Sequence, residues 1–180
     1  MNATMATPAS IAPLLIVVGC TVLLLRPVGV PTSMFIMVGV GVIGLLVPVP
    51  LPATAGRVST ARWVAVVAIG IAAFVIARTR TVAVPSSFSP LDLGANALAA
   101  VAEEIFFRRL TFGWLMRWGS GIAVIGSAGA FALVHARAYG LPALPLDLAA
   151  GILFGWQRWS SGGWVASALT HVVANLLQMR

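Results

Sequence analysis

Three apolar runs open the chain, Ile11–Leu25, Met34–Val47 and Trp63–Ala77, and each is closed by proline or arginine. A helix that crosses a bilayer needs about 20 predominantly apolar residues, and with their flanks these runs approach that length. Composition decides between a membrane and a soluble core. Hydrophobic residues make up 60% of the 180 and charged residues 8%, whereas an ordinary soluble domain is about 25% charged. So few polar side chains cannot cover a globule of this size. Disorder and a disulfide-stapled secreted fold are excluded on the same figures, and Cys20 has no partner within the chain. The expected fold class is all-α: a polytopic membrane helix bundle with about seven transmembrane helices.

Prolines and arginines punctuate the rest. Arg26-Pro27 and Pro31 end the first run, Pro48, Pro50 and Pro52 the second, and Arg78-Thr-Arg80 the third. The first run lacks a positive leader and a cleavage site, so it reads as a span and not a signal peptide. Residues 78–90 read as a loop. Ser89-Pro90-Leu91-Asp92 then has a cap serine, proline at the first helical position and an acid in the first turn. A long helix is expected from there to about Arg117, broken by Gly119 and Gly121. Further helices are expected over about 121–137, about 145–158 and from the Ser160–Gly163 turn to near Met179. The division is residues 1–84, about three spans, and 85–180, about four helices, in a single integral bundle.

Charge is concentrated where lipid should be. Glu103-Glu104-Ile-Phe-Phe-Arg108-Arg109 interrupts an apolar helix. One charge at the centre of a membrane helix costs about 2.5–3.5 kcal/mol, so four left unpaired would cost about 10 kcal/mol. Such groups are tolerated when they face the bundle interior and act there. Glu104 and Arg108 are four residues apart, about 40° around the axis, and can pair. Glu103 points elsewhere, in line with Asn96 and Phe107, and is free to act. An interfacial helix with its charges among headgroups is disfavoured by the apolar residues on both sides.

The two histidines, His135 and His171, sit on different apolar helices, and Asn175 shares a face with His171. A lone histidine in such a helix is usually a packing residue; two beside a membrane carboxylate favour a site. At 1.5 Å per residue, Glu103 lies about 21 Å from the Arg117 end, His135 about 22 Å along the returning helix, His171 about 14 Å and Asn175 about 20 Å along the last. Four polar groups from three helices thus share a layer. A carboxylate and an imidazole around one water make a general base, and a second imidazole with an amide offers donors to an oxyanion. The same Glu103, His135 and His171 could hold zinc with a fourth position open to water; the sequence leaves metal-bound and metal-free water equally open. Two further readings use the same atoms: a proton-coupled transporter with a histidine relay, and a non-catalytic membrane scaffold.

Glu103-Glu104-x-x-x-Arg108, Phe131-x-x-x-His135 and His171-x-x-x-Asn175 resemble, in order and spacing, the three motifs of the CPBP intramembrane proteases, the CAAX-protease and bacteriocin-processing (ABI) group. Gly151-x-x-x-Gly155 followed by Gly162-Gly163-Trp164 is similar to that family's glycine-rich stretch, and the likeness covers about residues 85–180. The resemblance implies an intramembrane endopeptidase in which Glu103 and His135 activate water and His171 and Asn175 stabilise the oxyanion. It implies that Glu104 and Arg108 are structural. The family is often labelled metalloprotease, yet a metal-free glutamate mechanism has been argued for its prenyl-protein members. Residues 1–84 match no part of it.

The remaining features are structural in this reading. Asp147 is a first-turn acid favouring the helix dipole. Gly151-x-x-x-Gly155 packs helices closely, and Trp114, Trp118, Trp156, Trp159 and Trp164 form an interfacial belt. The formal net charge is +7, but all 11 basic residues are scattered arginines, which suits headgroups and not a nucleic-acid face. The expected partners are a membrane-associated protein or peptide substrate and the lipid bilayer, with no nucleic acid. An arginine-only, alanine- and valine-rich composition points to a bacterial plasma membrane.

Overall fold

The computed structural model describes residues 8–27, 30–49, 58–79 and 89–178, and among them every regular element is helical. In chain order these are α1 (Pro8–Leu25), α2 (Val30–Leu46), α3 (Thr60–Arg78), α4 (Pro90–Glu104), a π-helical stretch (Ile105–Thr111), α5 (Phe112–Leu115), a 3₁₀ turn (Met116–Trp118), α6 (Ser120–Tyr139), a second 3₁₀ turn (Leu141–Ala143), α7 (Leu144–Ser161) and α8 (Val165–Gln178). Most of the expected 78–90 loop and the end of the last helix near Met179 lie outside the described residues.

The start of α4 forms as its sequence predicts. Ser89 Oγ accepts from the Asp92 N–H while Asp92 Oδ2 accepts from the Ser89 N–H at 2.9 Å, a reciprocal cap. Downstream, the expected single helix to Arg117 changes register. Phe112 donates its N–H to the carbonyls of Phe107 and Arg109 and bypasses that of Arg108. The Arg108 carbonyl instead accepts from Arg158 Nε of α7 at 3.0 Å. One side chain inserted into the hydrogen-bond ladder is a recognised cause of such a bulge.

Gly119 ends this segment with φ 101°, where only glycine is unstrained. Gly121, expected to help break the helix, lies within the first turn of α6; one left-handed residue is enough. Gly162, with φ 72°, turns the chain between α7 and α8, and α7 runs to Ser161, beyond its expected end.

α7 packs most extensively on α6, α4 lies against α2 and α8, α3 against α7 and α8, and α1 against α6. The α6–α7 seam is close because of the two glycines. A Cβ on Gly151 would stand 2.9 Å from Ala128 Cα, and one on Gly155 3.2 Å from Val124 Cα. This antiparallel seam places Trp156, Trp159 and Trp164 at the end of the bundle where α6 begins, beside Trp114 and Trp118.

Buried polar groups and exposed apolar side chains occur together. Glu104, Arg108, Gln157 and Thr170 are fully buried, whereas Phe35 is 80% exposed, Leu46 75% and Val17 63%. α3 and α6 are long and apolar enough to cross a membrane; Ile11–Leu25, Ser33–Leu46 and Val165–Leu177 are apolar but shorter.

Candidate active site

Glu103 and Glu104 close α4 immediately before the register change, so both face the bundle interior and both are buried. Each pairs with a different arginine, and His171 lies between them. Glu104 Oε1 lies 3.1 Å from Arg108 Nη1, the expected one-turn pair. The guanidinium is completely enclosed: Nη2 donates to the Gly151 carbonyl at 3.1 Å, and the Phe131 and Phe154 rings lie 4.6 and 5.1 Å from its carbon. Aromatic faces and a carboxylate thus surround the charge.

Glu103 occupies the convergence that the sequence predicts. Its Oε2 lies 3.6 Å from His135 Nε2 and 3.9 Å from His171 Nε2. Its other oxygen, Oε1, lies 3.1 Å from Arg26 Nη1. Arg26, just beyond α1, is 77 residues away in sequence. Nothing local in the sequence marks it as a partner; the only signal is an arginine at the end of an apolar run.

The opposite ring nitrogens define the state of both imidazoles. His135 Nδ1 lies 2.8 Å from the Phe131 carbonyl, one turn back on α6. A carbonyl only accepts, so Nδ1 carries the proton. His171 Nδ1 lies 3.0 Å from Glu104 Oε1, a carboxylate neutralised by Arg108 and therefore again the acceptor. Each Nε2 is thus the nitrogen turned towards Glu103. The rings are held by stacking, His135 on Tyr139 and His171 on Phe154 with centroids 5.6 and 4.7 Å apart.

These groups line a cavity of about 860 Å³ whose walls also include Asn96, Asn175, Asp147, Phe131 and Phe154. Arg26, Arg78, Tyr139 and Leu177 line it where α1, α3, α6 and α8 end, so it lies towards the end of the bundle opposite the tryptophans. Asn175 reaches the same cavity as His171, as their four-residue spacing predicts. Asp147 stands in the first turn of α7 as expected, and also borders this cavity, with Oδ2 buried and unpaired.

The donor set does not fit zinc as it stands. Tetrahedral zinc with bonds of about 2.0–2.1 Å brings its ligand atoms to about 3.3 Å from one another. The His135–Glu103 separation of 3.6 Å lies close to this, the His171–Glu103 separation of 3.9 Å exceeds it, and Arg26 already supplies a cation to Glu103. Among the described residues no three His, Cys, Asp or Glu side chains form a metal-binding group.

Fold and site together define an all-helical protein with a glutamate–histidine centre enclosed beside a large cavity. Residues 85–177 match the family model of the Rce1-like, type II CAAX prenyl endopeptidases. That is more than half of the chain, and the chain belongs to this family, as the three motifs predict. No curated protein and no solved structure matches it.

Proposed function

We propose that the protein is a multi-pass membrane endopeptidase that hydrolyses a peptide bond of a membrane-associated protein or peptide. The observation that carries this reading is the convergence of His135 Nε2 and His171 Nε2 on one oxygen of Glu103 at a cavity. Family membership and the apolar outer surface of the helices support the setting. In this reading all seven long helices cross the bilayer.

Glu103 Oε2 and His135 Nε2 take a proton from a water held between them, and the hydroxide attacks the scissile carbonyl carbon. The carbonyl oxygen becomes an oxyanion facing His171 and Asn175. His171 takes up a proton from solvent on Nε2 before the attack and returns it after collapse; with Nδ1–H donated to Glu104, the ring is then an imidazolium paired with that carboxylate. This is the form that donates to the oxyanion, alongside the Asn175 amide. Collapse of the tetrahedral species breaks the C–N bond, and the proton held by Glu103 and His135 passes to the leaving amine. Glu104 and Arg108 hold His171 and are not consumed.

The test uses purified protein in liposomes with two quenched fluorogenic probes. One is a farnesylated peptide ending in a CAAX-type sequence; the other is an unprenylated membrane-tethered peptide. Cleavage of either by the wild type, lost in Glu103→Ala, is the expected result. Equal cleavage by Glu103→Ala overturns the assignment of the base, and proton-driven flux without cleavage replaces a peptidase with a transporter.

A further inference from the structure

Arg26 lies outside the residues shared with the family and outside all three motifs, yet its guanidinium is the cation bonded to Glu103. Its Nη1 stands 3.1 Å from Glu103 Oε1 and 3.1 Å from Met37 Sδ on α2. Only 15% of the side chain is exposed. The contact therefore ties the end of α1 and the middle of α2 to the acid at the centre of the site.

Two consequences follow for Glu103. Its carboxylate has two chemically equal oxygens and a free rotation about the terminal bond; with Oε1 held by Arg26, Oε2 alone is presented to His135 and His171. A buried carboxylate also has to be matched by an opposite charge, and Arg108 is already engaged by Glu104. Resting on the reading of Glu103 as the base, we propose that Arg26 is a positioning residue, which fixes the catalytic carboxylate from the N-terminal helices so that one defined oxygen faces the substrate water.

The experiment is a kinetic series on the liposome-reconstituted full chain with the two probes above. Arg26→Gln is expected to lower kcat by about 100-fold, the scale of an ångström's misplacement, with KM changed less than threefold. Arg26→Lys, which keeps the charge but not the fork, retains a measurable part of the rate. Millimolar guanidinium ion restores activity to Arg26→Ala and not to Glu103→Ala. An unchanged or raised kcat in Arg26→Gln overturns the proposal; a raised one makes Arg26 a restraint on the base.

Thermal melts of Arg26→Gln, Glu103→Gln and the double variant supply an arm independent of cleavage. Non-additive shifts in Tm are expected for a direct pair, and additive shifts overturn the proposal whatever the probes report. Failure of the wild type to cleave either probe, with the melts still non-additive, strikes the peptidase reading and leaves the Arg26–Glu103 pair standing.

Discussion

Nδ1 of His171 lies 3.0 Å from Glu104 Oε1, while the same ring turns Nε2 towards Glu103 Oε2 at 3.9 Å. Acids adjacent in the sequence therefore stand at the two ends of one imidazole, Glu104 bonded to it and Glu103 facing it. The four-residue spacing predicts that Glu104 pairs with Arg108, and the pair exists; Glu104 also sets which nitrogen of His171 faces the cavity.

Breaking that pair from either side leaves a fully buried charge uncompensated. Glu104→Gln or Arg108→Met is expected to cost about 3–5 kcal/mol, seen as a large fall in Tm in detergent micelles. The double variant should lose less than the sum of the two, because neither charge is then left alone. Equal losses summed in the double variant would mean that the two side chains are energetically independent.

The tautomers are directly observable. With ¹⁵N-labelled histidine, His135 and His171 are both expected to carry the proton on Nδ1 at a pH where they are neutral. His135 is the sharper case, since its neighbour is a carbonyl that cannot donate. A signal from the Nε2–H form of His135 would be incompatible with the site geometry.

The sequence reveals the site where chemistry is costly in lipid. Glu103, Glu104, Arg108, His135 and His171 stand out because polar groups inside apolar helices need partners, and those partners converge. Helix boundaries are legible where a local signal exists, as in the Ser89–Asp92 cap. What is not legible depends on contacts between distant residues. The bond from Arg158 to the Arg108 carbonyl in the π-helical stretch spans 50 residues, and the Arg26 partner of Glu103 comes from beyond α1, 77 residues away. Residue spacing along one helix carries neither fact.

Metal dependence is open to a decisive measurement. Because Arg26 already supplies the cation bonded to Glu103, dialysis against a chelator is expected to change cleavage by less than twofold. Loss of activity that zinc alone restores would overturn this and make Glu103, His135 and His171 a ligand set.

Gly151 bears on stability and chemistry at once. A Cβ there meets the Ala128 backbone at 2.9 Å, and the Gly151 carbonyl accepts from Arg108 Nη2. Gly151→Ala forces α7 away from α6 at a cost of about 1–3 kcal/mol, and it loosens the guanidinium that holds Glu104. The expected result is a lower Tm together with a lower kcat. Gly129, which has open space where its Cβ would lie, provides the control: Gly129→Ala on the same α6 helix should change neither by much.

Arg158 connects the fold to the site through one hydrogen bond. While its Nε holds the Arg108 carbonyl, the Phe112 N–H is left to the carbonyls on either side, and the chain after Glu104 keeps the wider turn. Arg158→Leu removes that donor but keeps an apolar side chain near the Phe112 ring, which the guanidinium carbon now approaches at 5.3 Å. The freed carbonyl can then accept from Phe112 in ordinary α-helical register. Closing the wide turn rotates Glu103 and Glu104 relative to the helix beyond them. The two acids cannot both keep their partners, because Arg108 is held by α7 and Glu103 must still meet α6 and α8. The expected outcome is near-normal helix content by circular dichroism with cleavage lowered by about 100-fold, the penalty for an ångström's error at the reacting groups. Full activity in Arg158→Leu would show that the wide turn is held by packing of Phe106, Phe107 and Leu110, and that the Arg158 bond is incidental to it.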